Sequence, residues 1–369
     1  MNARNERATC HRLRVAEVIP ETADAVSLVF DLTERQRERF AYRPGQFLTL
    51  RLPTVDGALA RCYSLASSPH TDDRLKVTVK RVDDGRASNW ICDNVGPGAV
   101  LDALEPAGVF TPASLDDDVL LLAAGSGITP IMSIARSVLT HGTGSVVLCY
   151  ANRGEDAVIF RDELRQLEAT YPDRLTVLHW LESLQGVPTE HGLRGLLAGQ
   201  RFTDVFLCGP KPFMTVARAV LRDLGVDRTR IHLERFNSLG GDPFADTVPA
   251  EPSNVAQPGI VPTDPESPDA AEPSGAAGEP VVLHVDVDGE PRRLDWPSGT
   301  TLLELLMASG VDVPSSCGEG VCASCECRVV EGEVAMVDNQ VLDAEDIAEG
   351  YVLACQATPV TRHVRVSLG

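Results

Sequence analysis

Residues 120–134 read LLLAAGSGITPIMSI. Five consecutive apolar residues suit a short buried strand, Gly125-Ser126-Gly127 interrupts them, and a helical stretch follows with Pro130 in its first turn, where a missing N–H leaves nothing unpaired. Gly125 and Gly127 would let a pyrophosphate approach the helix N-terminus, whose free N–H groups and dipole favour anions. A tight structural turn gives a similar pattern, because the spacing is not G-x-G-x-x-G. A second strand end, in LCGPKPFM at 207–214, opens onto a helix at the same sheet edge, the place where parallel sheets bind ligands.

The rhythm extends outward from there. DVLLLAAG, SVVLCYAN, RLTVLHWL, DVFLCG and RIHLERF are apolar strand candidates, and TPIMSIARSVL, FRDELRQLEATY, LRGLLAG and PFMTVARAVLRDLG are the helices between them. Strand and helix in repetition predict a parallel sheet covered on both faces. Over residues 12–112 the pattern differs. Alternating runs such as QFLTLRL and LKVTVKRV, punctuated by Asp56-Gly57, Asp84-Gly85 and Pro97-Gly98, predict antiparallel strands closing a small barrel.

Downstream, residues 249–280 are built from Pro, Ala, Glu, Asp, Ser and Gly with almost nothing to bury, which predicts an acidic, extended, disordered linker. VVLHVDVDGEPRRLDW then reads as a hairpin turning at Asp288-Gly289, and TTLLELLMASG as a short helix capped by Thr300 or Thr301 and stopped by Gly310.

Four cysteines follow within eleven residues. Cys317, Cys322 and Cys325 have the spacing C-x4-C-x2-C, and Cys355 in YVLACQATP lies 30 positions further on. That is the plant-type [2Fe–2S] arrangement, with a potential of roughly −400 mV. Zinc is the alternative, but its sites usually pair two C-x2-C units and only one is present. Gly318 and Gly320 would let the loop turn sharply and present N–H groups to the sulfurs. Cys327, two residues along a strand beginning at Cys325, is read as a small buried residue, with a competing ligand as the other reading. No C-x-H pair exists to suggest a Rieske centre in this chain.

The formal charge is −20, and residues 281–369 alone hold 5 basic against 15 acidic side chains. Nucleic acid is a poor partner for such a chain; the acidic third serves either solubility or docking to a basic surface. No apolar run reaches the roughly 18 residues of a membrane helix, and MNARNERATCHRLRV lacks the apolar core of a signal peptide. The expected location is the cytoplasm, where thiols stay reduced and clustered cysteines bind metal rather than pair.

RCYSLASSP, KRVDDGRASNW, AAGSGITPIMS, YANRGEDAVIF, FLCGPKPFM and HLERF occur in the order seen in the ferredoxin–NADP reductase superfamily. With the cysteine pattern, the chain resembles its ferredoxin-fused, oxygenase-serving branch over nearly everything but the linker, which is longer than expected. The resemblance implies an FAD-binding antiparallel β-barrel domain at 1–112, an NAD-binding α/β domain at 113–236, the linker at 237–280, and a plant-type [2Fe–2S] ferredoxin domain of α+β, β-grasp fold at 281–369. It also implies roles. Arg61 takes a flavin phosphate, Tyr63 lies against the isoalloxazine and Ser64 faces its N5; Lys80 and Arg81 border the site, and Gly85, Ala87 and Ser88 meet the pyrophosphate. Without the resemblance, Tyr63 reads as a core aromatic and Ser88 as a helix cap.

By the same likeness Gly125, Gly127, Thr129 and Pro130 hold the dinucleotide, Asn152 and Arg153 its ribose side, and Cys208, Gly209 and Pro210 the nicotinamide end. Cys208 reads equally as a buried strand residue. Glu234 supplies a carboxylate near the hydride path and Phe236 an aromatic over the flavin, unless the two merely end a structural strand. Cys317, Cys322, Cys325 and Cys355 hold the cluster. NADH gives electrons in pairs and a [2Fe–2S] cluster takes them singly, so a flavin must stand between. The chain shows no acid–base triad and no open metal site, so the implied partner is a separate Rieske-type terminal oxygenase. RCYSLASSPHTDDRLKVTVKRVDDGRASNWICD, DRLTVLHWLESLQG and SLGGDPFAD are most similar to reductases serving a steroid-ring hydroxylase, while reductases of phenylacetyl-CoA epoxidation and aromatic-ring hydroxylation share the architecture. FMN for FAD, NADPH held through Arg153, and a non-catalytic ferredoxin-like scaffold are the alternatives.

Overall fold

Alternation of buried and exposed side chains carries the N-terminal region into a barrel. Strands β1 (Thr9–Thr22), β2 (Ala25–Asp31), β3 (Phe47–Thr54), β4 (Gly57–Ser64), β5 (Leu75–Lys80) and β6 (Val100–Ala103) pair antiparallel in the order β4-β3-β6-β1-β2-β5. A bridge between Leu65 and Val77 joins the two ends of that order. Leu13, Val15, Leu28, Phe30, Leu48, Leu50, Leu52, Val77 and Val79 fill the interior. Helix α1 (Glu34–Arg39), closed by a capping box between Thr33 and Gln36, was not anticipated. Helix α2 (Arg86–Asn94) adds Ala87 and Ile91 to the barrel core.

This computed structural model describes residues 9–54, 57–236, 243–244, 248–249, 281–287, 290–311, 313, 318, 320, 325–339, 341–342 and 344–368. They belong to two compact units, the first formed mainly by residues 1–248 and the second by most of 249–369. Among the described residues no helix is long and apolar enough to cross a membrane.

The second half of the first unit is a parallel sheet. Its elements are β7 (Val119–Ala124), α3 (Ile128–His141), β8 (Val146–Asn152), α4 (Arg161–Thr170), β9 (Leu175–Leu181), α5 (Glu182–Gln185), α6 (Glu190–Leu197), β10 (Asp204–Cys208), α7 (Lys211–Asp223) and β11 (Ile231–Glu234). The strand order is β11-β10-β7-β8-β9. β7 is apolar throughout because both its faces are buried: Leu121 and Ala123 pack with α3 residues such as Ile131 and Ile134, while Leu120 and Leu122 pack with Met214 and Ala217 of α7. The chain winds one way from β7 to β8 and the other way to β10, so a switch point opens at the C-terminal ends of β7 and β10. The Arg174 guanidinium ties this layer together, donating to the carbonyls of Val138, Leu139, Gly142 and Gly144 at 2.7–3.1 Å.

Within the stretch expected to be linker, Phe244 is buried with the Arg51 guanidinium 5.6 Å from its ring centroid, and β12 (Val248–Pro249) pairs with β1. Both belong with the barrel instead. The rest of 237–280 lies outside the described residues.

In the second unit β13 (Val281–Val287) and β14 (Glu290–Trp296) form the expected hairpin, with Val287 opposite Glu290. The two turn residues, Asp288 and Gly289, lie outside the described residues. Helix α8 (Leu302–Ala308) starts at Thr301, which makes a capping box with Glu304, and Gly310 follows its end at φ +72°. After it come β15 (Glu326–Glu331), β16 (Val334–Met336), α9 (Ala344–Ala348), β17 (Tyr351–Leu353), β18 (Ala357–Pro359) and β19 (His363–Ser367). The main sheet runs β14-β13-β19-β15-β17, with β13 and β19 parallel.

Candidate functional site

Sequence places Arg61, Tyr63 and Ser64 on one strand, and the structure puts them at the end of β4, opposite Leu50, Leu48 and Phe47 of β3. Ser64 is buried, and Tyr63 is packed against the barrel core. Burial, opposed by Arg61, raises the Tyr63 phenol above its ordinary value. Arg61 donates to its neighbour's carbonyl at Ala60 (2.6 Å) and has no carboxylate partner among the described residues. Such a half-buried, uncompensated guanidinium suits a phosphate.

The turn before α2 leaves a helix N-terminus with no side-chain cap. Asp84 is left-handed (φ 59°) and Gly85 is the N-cap. A Cβ on Gly85 would meet Ser88 Oγ at 2.5 Å and Val82 O at 2.9 Å. Ser88 is therefore not the cap: it is the third residue of α2, and its hydroxyl accepts from the Val82 N–H at 3.2 Å. Lys80 and Arg81 are held by carboxylates, Lys80 Nζ 3.5 Å from Asp24 and Arg81 Nη2 2.5 Å from Asp93.

At the switch point the two glycines of the opening motif separate in purpose. Gly125 sits at φ +53° with open space where a Cβ would be, as a turn covering a ligand requires. Gly127 faces protein: a Cβ there would lie 2.2 Å from the Cys208 carbonyl oxygen and 2.8 Å from Gly209 N. Its absence of side chain lets the turn after β7 and the turn after β10 touch. Gly127 is the N-cap of α3, Thr129 is buried with its hydroxyl donating to Ser126 O (3.1 Å), and Pro130 is third in the helix, as expected. Pro210 is likewise the N-cap of α7.

Asn152 ends β8, buried, with neither side-chain Nδ2 nor Oδ1 hydrogen-bonded. The neighbouring Tyr150 hydroxyl donates to Gly125 O at 3.0 Å. An orphaned amide at the ligand edge of a parallel sheet calls for a bound polar group. Arg153, beside it, is 74% exposed and 3.4 Å from Asp24, and it lines a cleft of about 570 Å³ with Gly154, Glu155, Asp156, Arg161 and Ser183. Asp24 thus faces both Lys80 and Arg153. Nothing local in the sequence signals this, since Arg153 is 129 positions away.

Glu234 ends β11 beside Cys208 in the parallel register, while Phe236 is half-exposed. Burial, with Glu234 next to it, pushes the Cys208 thiol well up. Burial also lifts the Glu234 carboxyl to about 8, so near neutral pH it is a proton donor. The folded chain holds a proton that the unfolded chain releases near 4.5. Stability from this group is full below that value and is lost as pH rises toward about 8. The thermal midpoint should fall across this window, and Glu234→Gln should flatten the fall; an unchanged slope would assign the sensitivity elsewhere.

Of the four expected cluster ligands, Cys317 and Cys322 lie outside the described residues. Cys325 and Cys355 are buried. Cys325 precedes β15 and Cys355 follows β17, and pairing of Glu326 with Leu353 brings those strand ends together. The Gln356 amide donates toward Cys355 Sγ at 3.6 Å. Gly318 and Gly320 are both left-handed, φ +70° and +73°, as the tight loop required. Cys327 is buried opposite Val352 within the strand pair.

A flavin-type barrel, a nicotinamide-type sheet and a cysteine-loop domain in one polypeptide define an iron–sulfur flavoprotein reductase. Family comparisons agree: the oxidoreductase FAD-binding domain matches residues 12–111, the oxidoreductase NAD-binding domain 121–219, and the 2Fe-2S iron-sulfur cluster binding domain 285–360. The chain is 53% identical over 355 residues to the 3-ketosteroid-9-alpha-monooxygenase ferredoxin reductase component of Rhodococcus rhodochrous, covering 96% of this chain and 95% of that one. It is 34% identical to one component of the Escherichia coli 1,2-phenylacetyl-CoA epoxidase, covering 97% of each. Phthalate dioxygenase reductase has the same fold, with a TM-score of 0.55 at 22% identity and 97% of each chain covered. The chain belongs to the family that includes the 3-ketosteroid-9-alpha-monooxygenase ferredoxin reductase components, and it is an electron-transfer oxidoreductase.

Proposed function

We propose that the chain draws electrons from NADH and delivers them to a Rieske-type terminal oxygenase that hydroxylates a 3-ketosteroid, in the cytoplasm. The observation that carries the partner is the 53% identity, sustained over 96% of the chain, to a relative named for that reaction. Bound FAD would accept electrons in pairs from the nicotinamide and release them singly toward the [2Fe–2S] cluster. The residues would do the rest. Arg61 and the open N-terminus of α2 hold the flavin phosphates, Tyr63 packs on the ring, and Ser64 offers its hydroxyl at the reacting edge. Gly125, Thr129 and Pro130 hold the dinucleotide, Asn152 and Arg153 its ribose side, and the turn of Cys208, Gly209 and Pro210 the nicotinamide. Protonated Glu234 and Phe236 close the site from β11. Cys317, Cys322, Cys325 and Cys355 would ligate the cluster.

The test is steroid 9α-hydroxylation with a purified 3-ketosteroid oxygenase, run beside NADH–ferricyanide reduction across a salt series. Residues 281–369 carry a net charge of −10, so docking to a basic surface is steered by charge. At about 0.5 M salt the Debye length shrinks to roughly 4 Å, and hydroxylation should slow far more than dye reduction. Equal salt slopes would remove the electrostatic docking. No hydroxylation of any 3-ketosteroid would move the partner to the phenylacetyl-CoA or aromatic-ring branch.

A further inference from the structure

The segment GEDAVIFRDE, residues 154–163, follows the nucleotide edge of β8; its first residues line the cleft beside Arg153, but Val158, Ile159 and Phe160 are buried. Its centre is strained. Phe160 caps α4 with φ 59° and ψ 26°, a left-handed conformation that an aromatic residue adopts only where its surroundings over-determine it. The ring is buried, and the ammonium of Lys76, from β5 of the barrel, lies 4.7 Å from its centroid.

The same ammonium donates to Glu163 Oε1 at 2.6 Å in the first turn of α4. Glu163 Oε2 is 3.8 Å from Arg136 of α3, and Arg136 donates back to Asp72 of the barrel at 2.8 Å. On the other side of the turn, burial raises the carboxyl of Glu21 in β1 above its ordinary value, opposed by Ser27, Lys76 and the Phe160 backbone. Glu21 accepts from Ser27 Oγ at 2.5 Å, and that hydroxyl is 2.7 Å from Thr78 Oγ1. Asp72, Arg136, Glu163, Lys76 and Phe160 form a seam in which every link but Arg136–Glu163 joins the barrel to the parallel-sheet domain. Helix α3 begins at the nucleotide turn and β5 ends at Lys80, so the seam is built on the elements that carry the two sites.

We propose that Phe160 is a positioning residue: its left-handed turn and buried ring lock the nicotinamide domain onto the flavin barrel and so set the approach of nicotinamide to flavin. This rests on the reading that a nicotinamide nucleotide reduces the flavin in this chain. The lock acts on the transfer step, because the partners of Phe160 and Lys76 are Glu163 and the barrel rather than the glycine turn that would bind the dinucleotide.

The test uses the full chain with its cofactors, anaerobically, with whichever of NADH or NADPH reduces the wild-type flavin, so that an error about the donor is seen separately in the wild type. Phe160→Gly keeps the left-handed turn and deletes the ring; Lys76→Met deletes the cation; Lys76→Arg is the conservative rescue. Rapid-mixing measurements give the limiting rate of flavin reduction, the nucleotide Kd from its saturation, and the long-wavelength charge-transfer absorbance that reports ring stacking. Phe160→Gly and Lys76→Met should lower the limiting rate on the order of tenfold and weaken the charge-transfer band, with Kd little changed, as expected when a reacting pair is misplaced. Lys76→Arg should restore both. If Phe160→Gly fails to retain flavin, Lys76→Met decides. Wild-type limiting rates in flavin-loaded variants, or losses confined to Kd, would overturn the proposal.

Discussion

Replacing Gly127 with alanine should disable reduction of the flavin by NADH while leaving flavin bound. The added Cβ would stand 2.2 Å from the Cys208 carbonyl oxygen, a backbone atom that cannot swing aside as a side-chain tip can. Relief requires the turn after β7 and the turn after β10 to part, and these two turns flank the switch point where the nicotinamide is proposed to lie. A displacement near 1 Å of a group that orients a reactant costs on the order of a hundredfold in rate. Steady-state turnover with ferricyanide and rapid-mixing flavin reduction should both show it. Gly225→Ala is the control: Gly225 is left-handed, φ +74°, where Gly127 is not (φ −60°), but its Cβ position is open. That variant should lose some stability and keep its turnover. Near-wild-type reduction by Gly127→Ala would mean that the contact between the turns has no bearing on the site.

Cys355→Ser should abolish electron delivery to the oxygenase yet spare NADH–ferricyanide reduction. A serine at a buried ligand position offers a poor ligand for iron, so iron and sulfide should fall to background. The proposed flavin and nicotinamide residues all lie within 61–236, in the unit that does not contain Cys355, so the dye reaction should survive. Cys327→Ser should retain the cluster, because that side chain is buried within the β15–β17 pair rather than at the strand ends that carry Cys325 and Cys355. Loss of iron in Cys327→Ser with retention in Cys355→Ser would reverse the ligand assignment.

How much of this could be read beforehand depended on the range of each interaction. The parallel sheet was legible because β7, β8 and β10 are buried on both faces and therefore read as apolar runs. The barrel was legible from alternation and turn glycines. Helix α1 was missed because ERQRER has no apolar stripe; its capping box was the available signal. The candidate site residues stood out as motifs, but not the individual contacts each one makes. Gly127 looked like a phosphate-binding glycine, whereas its Cβ position is filled by residue 208, far along the chain. Asp24 and Glu21 are ordinary acids in a strand and turn until Arg153, Lys80 and Phe160 are brought to them. Phe244 was hidden by its neighbours: one aromatic among Gly, Asp and Pro gives no period to read.

The sheet order of the second unit bears on how the protein is assembled. β13 begins at Val281, but the strand it runs parallel to, β19, begins only at His363, and β19 lies between β13 and β15. The β13–β14 hairpin can form at once, but completion of the sheet must wait for a partner some eighty residues later, a non-local pairing that folds slowly. The cysteine loop is synthesised well before that partner, so its thiols emerge ahead of the strands that bury them. In the first unit β7 and β8 meet after one intervening helix, so that region can take shape earlier. Maturation should therefore be staged, with the yellow chromophore acquired first and iron last. Cells short of iron should then accumulate chains whose barrel and parallel sheet are complete while their cysteines carry no metal.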